Sequence, residues 1–260
     1  MNIIVCIKQV PATTEVRINP ETNTLIREGV PSIINPFDEN AIEEALRLRD
    51  IHGGKVTVIT MGPPQATEAL RASLAMGADD AILISDRAFA GSDTLATSYS
   101  LSRAIKKIGS FNLIICGKQA IDGDTAQVGP GIAEWLSLPQ VTFVVKTRIE
   151  NGKIFAERLL EDENEVVEAP LPALITVVKQ INEPRYPSLK GQMKAKKAVI
   201  TTLSAKDIEA EEDKVGLKGS PTWVVKIFTP PPKGGGEILS GSVDEMTASL
   251  AQKLRARGIC

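Results

Sequence analysis

The 260-residue chain sets 30 Lys+Arg against 32 Asp+Glu, a net charge of −2, and is 43% hydrophobic with 4% aromatic residues. That is the composition of a soluble globular protein able to bury a sizeable core, without the basic footprint or stacking rings that nucleic-acid binding needs. Its one histidine, His52, excludes most His-based metal sites and any catalytic array of two imidazoles.

Asn2 to Ile7 is a short, continuous apolar run, the pattern of a strand covered on both faces. Lys55 to Thr60, Ala81 to Ser85 and Asn112 to Cys116 repeat it. Helical spacing fills the intervals. From Asp38 to Asp50, Ala41, Ile42, Ala45, Leu46 and Leu48 recur at the helical period, with acids early and Arg47 and Arg49 late. Gln65 to Met76 is a second helix stopped by Gly77, Ser92 or Asp93 caps a third running to Lys107, and Gln127 to Leu136 is a fourth. Strands alternating with helices predict an α/β fold with a doubly wound, mostly parallel sheet. After Pro139, Val141 to Arg148, Lys153 to Leu160, Glu165 to Val167 and Ala173 to Val178 are β-rich, with Asn151-Gly152 as a hairpin turn; they predict an antiparallel extension over 141–178.

Beyond Lys179 the chain turns Pro-rich and basic, with Lys190, Lys194, Lys196 and Lys197. Pro230 to Pro232 and Gly234 to Gly236 mark a linker over 229–236. Ser242 to Ala256 is an amphipathic helix with Met246, Leu250 and Leu254 on one face, suited to an external docking surface. The division expected is a nucleotide-binding α/β domain over 1–200 and a C-terminal helical arm over 201–260. Cys6, Cys116 and Cys260 lie far apart in sequence and form no CxxC pair, and such an odd, sparse set suits a reducing compartment. With no apolar run near ~18 residues and no signal peptide, the expected location is the cytoplasm, without membrane insertion.

Ligands of open parallel sheets bind beyond the carboxyl ends of the strands. Three turns lie there: Met61-Gly62-Pro63-Pro64, Ala90-Gly91-Ser92-Asp93-Thr94, and the long segment from Gly117 to Gly129. Small residues let backbone amides approach an anion, and a helix N-terminus adds a favourable dipole. Ser92, Thr94 and Thr125 supply hydroxyls, Lys118 a charge, and Asp93 or Asp124 acceptors for ribose. Each loop alone is an ordinary turn; three at one sheet edge point to a nucleotide of unspecified type. Neither GxGxxG nor a Walker A motif is present. His52 suits a helix end, and Cys6 and Cys116 suit buried strands. No activated nucleophile or paired-carboxylate site is visible, so the chain reads as a holder of a cofactor.

Several segments together resemble the beta subunit of electron-transfer flavoprotein over nearly the whole chain. They are Cys6-Ile7-Lys8-Gln9-Val10-Pro11, Asn35-Pro36-Phe37-Asp38-Glu39-Asn40-Ala41, Ala75-Met76-Gly77-Ala78-Asp79, Gly117-Lys118-Gln119-Ala120-Ile121-Asp122, Pro172 to Thr176, and Asn182 to Tyr186. The resemblance implies an adenine-nucleotide alpha-hydrolase-like fold and a heterodimer whose alpha subunit carries one FAD, with the terminal helix docked on that subunit. In the housekeeping branch the beta subunit binds AMP. The positions matching that site are Cys6, Asn35, Pro36, Phe37, Asp38, Met61, and Gly117, Lys118, Gln119, Ala120, Ile121, Asp122, Gly123, Asp124, Thr125, Ala126, Gln127 and Val128.

Gly123-Asp124-Thr125-Ala126-Gln127-Val128-Gly129-Pro130 and the stretch Gly91, Ser92, Asp93, Thr94 with Thr97 resemble instead the electron-bifurcating branch. There the beta subunit holds a second FAD, and glycine at 123 leaves room for a larger ligand. That branch implies hydride from NADH. One electron goes to ferredoxin or flavodoxin, and the other to the alpha-subunit FAD and on to a flavin-dependent dehydrogenase such as an acyl-CoA dehydrogenase. The chain is then an electron-transfer subunit, oxidising NADH only with its alpha partner. The resemblance also makes 182–197 a partner-recognition loop, with Leu189 as an apolar plug flanked by Tyr186 and Met193. The competing readings are the housekeeping carrier with AMP, and a non-redox nucleotide-sensing module.

Overall fold

The computed structural model describes residues 1–12, 17–18, 25–26, 32–225 and 234–259. Residues 229–233 of the linker, and Cys260, lie outside them. The chain divides into two compact units, 1–225 and 226–260.

The first unit opens with β1 (Asn2–Cys6), β2 (Gln9–Pro11), β3 (Arg17–Ile18), β4 (Leu25–Ile26) and β5 (Ser32–Ile34). Then follow α1 (Pro36–His52), β6 (Lys55–Met61), α2 (Thr67–Met76), β7 (Asp80–Ile84), α3 (Thr94–Ile108), β8 (Leu113–Gly117) and α4 (Val128–Leu136). Next come β9 (Gln140–Glu150), β10 (Lys153–Leu159), β11 (Asn164–Pro170), β12 (Ala173–Val177), α5 (Leu189–Lys197) and β13 (Thr201–Leu203). Among the described residues, nine strands form one sheet in the order β11-β10-β9-β12-β8-β1-β6-β7-β13. Every pairing from β9 to β13 is parallel, and β9-β10-β11 continue antiparallel at one edge. Two small antiparallel pairs, β2 with β5 and β3 with β4, stand apart.

The doubly wound architecture follows from the strand sequences. In β1, Ile3 and Val5 face the layer of α1 and α2, whereas Ile4 and Cys6 face α3 and α4. Both faces are covered, so alternation disappears and the run is apolar throughout. Helix ends obey their local chemistry. Pro36 opens α1, Asp38 and Glu39 occupy its first turn, and Arg49 and His52 its last. Asp93 caps α3, accepting from Leu95 N at 2.9 Å and Ala96 N at 3.1 Å. Asn151 and Gly152 both have positive φ, as the two-residue hairpin requires.

Three expectations are corrected. Ala173–Val177 does not belong to the antiparallel extension: β12 runs parallel between β8 and β9, buried along its whole length. Its unbroken apolar sequence is that of a central parallel strand. The segment 182–197 is a loop only in its first half, because Leu189–Lys197 is α5, its start capped by Ser188, whose Oγ accepts from Gly191 N at 3.0 Å. Four lysines and a glycine conceal its helical period. Residues 201–225, expected in the C-terminal arm, belong to the first unit: β13 extends the sheet beyond β7, and Ile208 and Val215 enter the α3 core.

In the second unit, α6 (Val243–Ala256) starts at a capping box in which Ser242 Oγ accepts from Glu245 N while the Glu245 carboxylate accepts from Ser242 N. None of its residues is buried.

Candidate functional site

From β1 the chain winds outward through β6 to β7, then α3 carries it back to β8 on the other side of β1. The carboxyl ends of β1 and β8 are therefore the topological switch point, where an open α/β sheet leaves a crevice. Residues 6–8, 35–38 and 117–122 meet there.

Asn35 and Asp38 organise the crevice, and both are buried. Asn35 N donates to Lys8 O at 2.9 Å, its Nδ2 donates to Gln119 O at 2.8 Å, and its Oδ1 accepts from Ile121 N at 3.1 Å. One residue, by its backbone N–H on one side and its side chain on the other, thus ties the end of β1 to the loop after β8. Asp38 Oδ2 accepts from Lys8 N at 2.7 Å, and the Lys8 ammonium reaches Asp122 Oδ1 at 2.7 Å. Burial pushes the Asp38 carboxyl up to about 7, against the N–H groups of Lys8 and Gly117 and the Asn35 side chain, which favour the anion. Gly117 is dictated by this packing: a Cβ there would stand 2.2 Å from Asp38 Oδ1 and 2.7 Å from the Phe37 carbonyl carbon.

Beneath the crevice Cys6 and Cys116 are paired in register on β1 and β8. Their mutual hydrogen bond, followed by burial, pushes the Cys116 thiol up well beyond its usual range, so that thiol stays neutral. Both cysteines are strand residues, as expected.

The loop from Gly117 to Val128 rises from β8 into α4. Lys118 N donates to Val177 O at 2.8 Å, and Asp124 N to Ala120 O at 2.8 Å. Asp124 and Ala126 adopt positive φ. Residues 121–125 are exposed, and a Cβ built on Gly123 would meet nothing within 4 Å. Gln119 and Asp124 hydrogen-bond through their side chains. Gln127 precedes α4 without capping it by its side chain, which leaves the Val128 and Gly129 amides, ahead of Pro130, to face an anion. Gln127 Oε1 accepts instead from Thr94 Oγ1 at 2.8 Å, joining the starts of α3 and α4.

The loop before α3 hydrogen-bonds to a distant part of its own chain. Ser92 Oγ donates to Phe89 O at 2.8 Å and accepts from Gly216 N at 3.1 Å. Asp93 N donates to Ser220 Oγ at 2.8 Å, and Asp93 Oδ2 accepts from Thr222 N and Thr222 Oγ1 at 3.2 and 2.9 Å. Against desolvation, the N–H of Ala96 and both groups of Thr222 hold the Asp93 carboxyl below its ordinary range. Gly91, at φ +76°, lies beneath Leu217. These groups fasten 216–222 to the sheet edge. Thr94 reaches Gln127, Thr97 lies one turn further into α3, and Met61 ends β6, half-buried.

A second locus lies along α1. Arg185 Nε and Nη2 donate to Glu43 Oε2 and Oε1 at 2.8 and 3.0 Å, and Arg185 Nη1 to Asp50 Oδ2 at 3.1 Å. Asn40 Nδ2 donates to Asn182 O at 2.8 Å. Beyond this clamp Tyr186, Leu189 and Met193 are 96, 81 and 64% exposed. Arg71 Nη1 holds the far end of α5 through Ala195 O at 2.6 Å and Ala198 O at 3.2 Å. The sequence reading missed Lys8 as an organiser, although it stands two residues beyond β1, and missed the Glu43–Arg185 pair, whose members stand 142 positions apart.

No helix among the described residues is long and apolar enough to cross a membrane. Residues 22–208 match the electron transfer flavoprotein domain. The chain is 56% identical to an electron transfer flavoprotein subunit beta of Thermoanaerobacterium thermosaccharolyticum, over the full length of both. It is 52% identical to the caffeyl-CoA reductase-Etf complex subunit CarD of Acetobacterium woodii, again over the full length of both. Protein FixA of Bradyrhizobium diazoefficiens is 50% identical, with 96% of this chain and 90% of FixA covered.

Proposed function

The chain belongs to the electron transfer flavoprotein family as a beta subunit, and from that premise we propose that it holds an FAD of its own and belongs to the electron-bifurcating branch. Its similarity to CarD, a subunit of a caffeyl-CoA reductase-Etf complex, favours that branch over an AMP-binding carrier. The observation that carries the proposal is the open backbone at Gly123, beside the uncapped start of α4. The residues fit an adenine dinucleotide. Asn35 and Asp38 brace the crevice from within, the first α4 amides offer donors to a phosphate, and nothing crowds Gly123.

Once bound, the flavin would supply the two-electron and one-electron chemistry that divides electrons from NADH between ferredoxin or flavodoxin and the alpha-subunit FAD. The protein's part is positional. Lys8 and Asp122 close the β1 side, Thr94 and Gln127 align the two helix starts, and the loop 117–128 sets the ligand's depth. At the second locus the Arg185 clamp presents Leu189, Tyr186 and Met193 to a flavin-dependent dehydrogenase, as a small apolar hot spot ringed by lysines. The exposed α6 suits docking on the alpha subunit.

Co-purification with the alpha subunit and acid extraction of bound nucleotides tests the proposal. Two FAD per heterodimer and bleaching of the flavin absorbance by NADH are expected. One FAD with one AMP, unresponsive to NADH, would replace it with the housekeeping carrier, and a colourless complex with the non-redox nucleotide module.

A further inference from the structure

Phe143 lies in β9 with φ +61°, the left-handed region that a bulky aromatic residue rarely enters. Opposite it the β12 register shifts between Ile175 and Val177, so that Thr142 and Phe143 face Thr176, and two residues further on, at Val145, the β10 register shifts between Glu157 and Arg158. β9 is therefore bulged, a device that re-aims a side chain next to a functional site. The unusual backbone is fixed by a hydrogen bond in which Phe143 N donates to Thr176 Oγ1 at 3.2 Å. The re-aimed ring has a specific neighbour, the Lys118 ammonium, 5.1 Å from its centroid.

Lys118 opens the loop that carries the candidate nucleotide site, and its backbone is pinned to Val177 O. The other lysine of the crevice, Lys8, is neutralised by Asp122. Among the described residues Lys118 takes part in no ion pair and is steadied by an aromatic face alone. A π face orients an ammonium without cancelling its charge, whereas a carboxylate would compete with an incoming anion. A long lysine side chain otherwise loses rotamer freedom when it meets its ligand.

We infer that Phe143 is a positioning residue that holds the Lys118 ammonium ready for the phosphates of an adenine nucleotide bound at the β1–β8 crevice. The role of Phe143 depends on the nucleotide binding proposed above, and it applies equally to AMP and to the adenylate half of FAD. No contact between Phe143 and the ligand is required.

The test uses the complete alpha–beta complex stripped of the nucleotide in this subunit, with ADP and adenosine as probes. Phe143→Leu removes the π face and keeps the apolar bulk; it should weaken ADP about two- to five-fold and leave adenosine unchanged. Phe143→Tyr should bind ADP like the wild type. Lys118→Met should weaken ADP at least as much, and adding F143L to it should cost nothing further. Equal losses for ADP and adenosine would reduce Phe143 to a structural residue and overturn the inference. So would additive losses in the double variant, or an unaltered ADP affinity in both single variants. If F143L fails to fold, the ADP-against-adenosine contrast in K118M and the F143Y affinity decide. A wild-type complex that binds neither probe sinks the nucleotide reading itself, and the inference with it.

Discussion

Removing the Arg185 guanidinium should destabilise the protein through a carboxylate far away in sequence. Glu43 is buried, its side chain 7% exposed, and accepts three hydrogen bonds from Arg185: two from the guanidinium and one, at 3.1 Å, from the backbone N–H. Arg185→Ala leaves only the backbone donor. Breaking a fully buried ion pair costs about 3–5 kcal/mol, whereas an exposed one is worth less than about 1 kcal/mol. The Arg185 side chain is 35% exposed, so water reaches one partner and the expected loss is about 2 kcal/mol. For a chain of this size that lowers Tm by roughly 4–8 °C. Arg185→Met combined with Glu43→Leu should recover most of the loss, because two apolar groups leave no stranded charge. Thermal denaturation of the alpha–beta complex measures both. A shift below ~1 °C in R185A, or a double variant no better than the single, would refute the view that Glu43 needs its partner.

Because burial raises the Asp38 carboxyl from 3.8 to about 7, the folded state retains a proton that the unfolded chain releases at lower pH, so stability falls as pH rises through that window. Asp38→Asn should flatten the fall, by up to ~4 kcal/mol, and parallel Tm-against-pH curves for the two proteins between about pH 5 and 8 would contradict this. Gly117→Ala would set a methyl 2.2 Å from Asp38 Oδ1, so it should cost about 1–3 kcal/mol and strip nucleotide from the complex during gel filtration. Leu189→Ala should leave Tm within ~1 °C yet weaken electron transfer with the partner dehydrogenase by about 30-fold, followed by stopped-flow absorbance.

How much of this was legible in the sequence depends on the range over which each feature is determined. Continuous apolar runs such as Ile3-Ile4-Val5 reveal strands covered on both faces, since burial on two sides leaves no polar position. Asp93 as a cap and Asn151-Gly152 as a turn are chosen by backbone geometry within three residues. β12 escaped because its sequence neighbours form a hairpin while its pairing partners, β8 and β9, are set by the whole sheet. β13 has only three residues, two of them exposed threonines, and it exists because β7 offers a parallel edge. At the site, Asn35 and Asp38 entered through the family resemblance alone, whereas Gly117 stood out as a small residue at the end of a strand. Residue type offered Ser92 and Asp93 as ligand groups but carried no sign of the bonds they make to a segment more than 120 residues downstream. Phe143 carries no local signal, because its significance lies in a positive φ that only the bulged sheet imposes.

Polar residues spaced along α1 explain why one helix serves both loci. Asp38 in its first turn braces the crevice, while Asn40, Glu43 and Asp50, further along, grip Asn182 and Arg185. A helix rises about 1.5 Å per residue, so the crevice end of α1 and its Asp50 end are held about 18 Å apart by hydrogen-bonded backbone rather than by loops. A carrier that must hand electrons to a partner gains from such a spacer, because the distance from the nucleotide edge to the docking segment is then independent of the mobility of either loop. The two ends should therefore fail separately. R185A should weaken partner docking while the extracted nucleotide per complex stays at the wild-type value, and G117A should lose nucleotide while partner docking keeps its wild-type affinity. Loss of both properties in R185A at a temperature well below its Tm would mean that the clamp shapes the crevice, and that α1 does not act as a rigid bar.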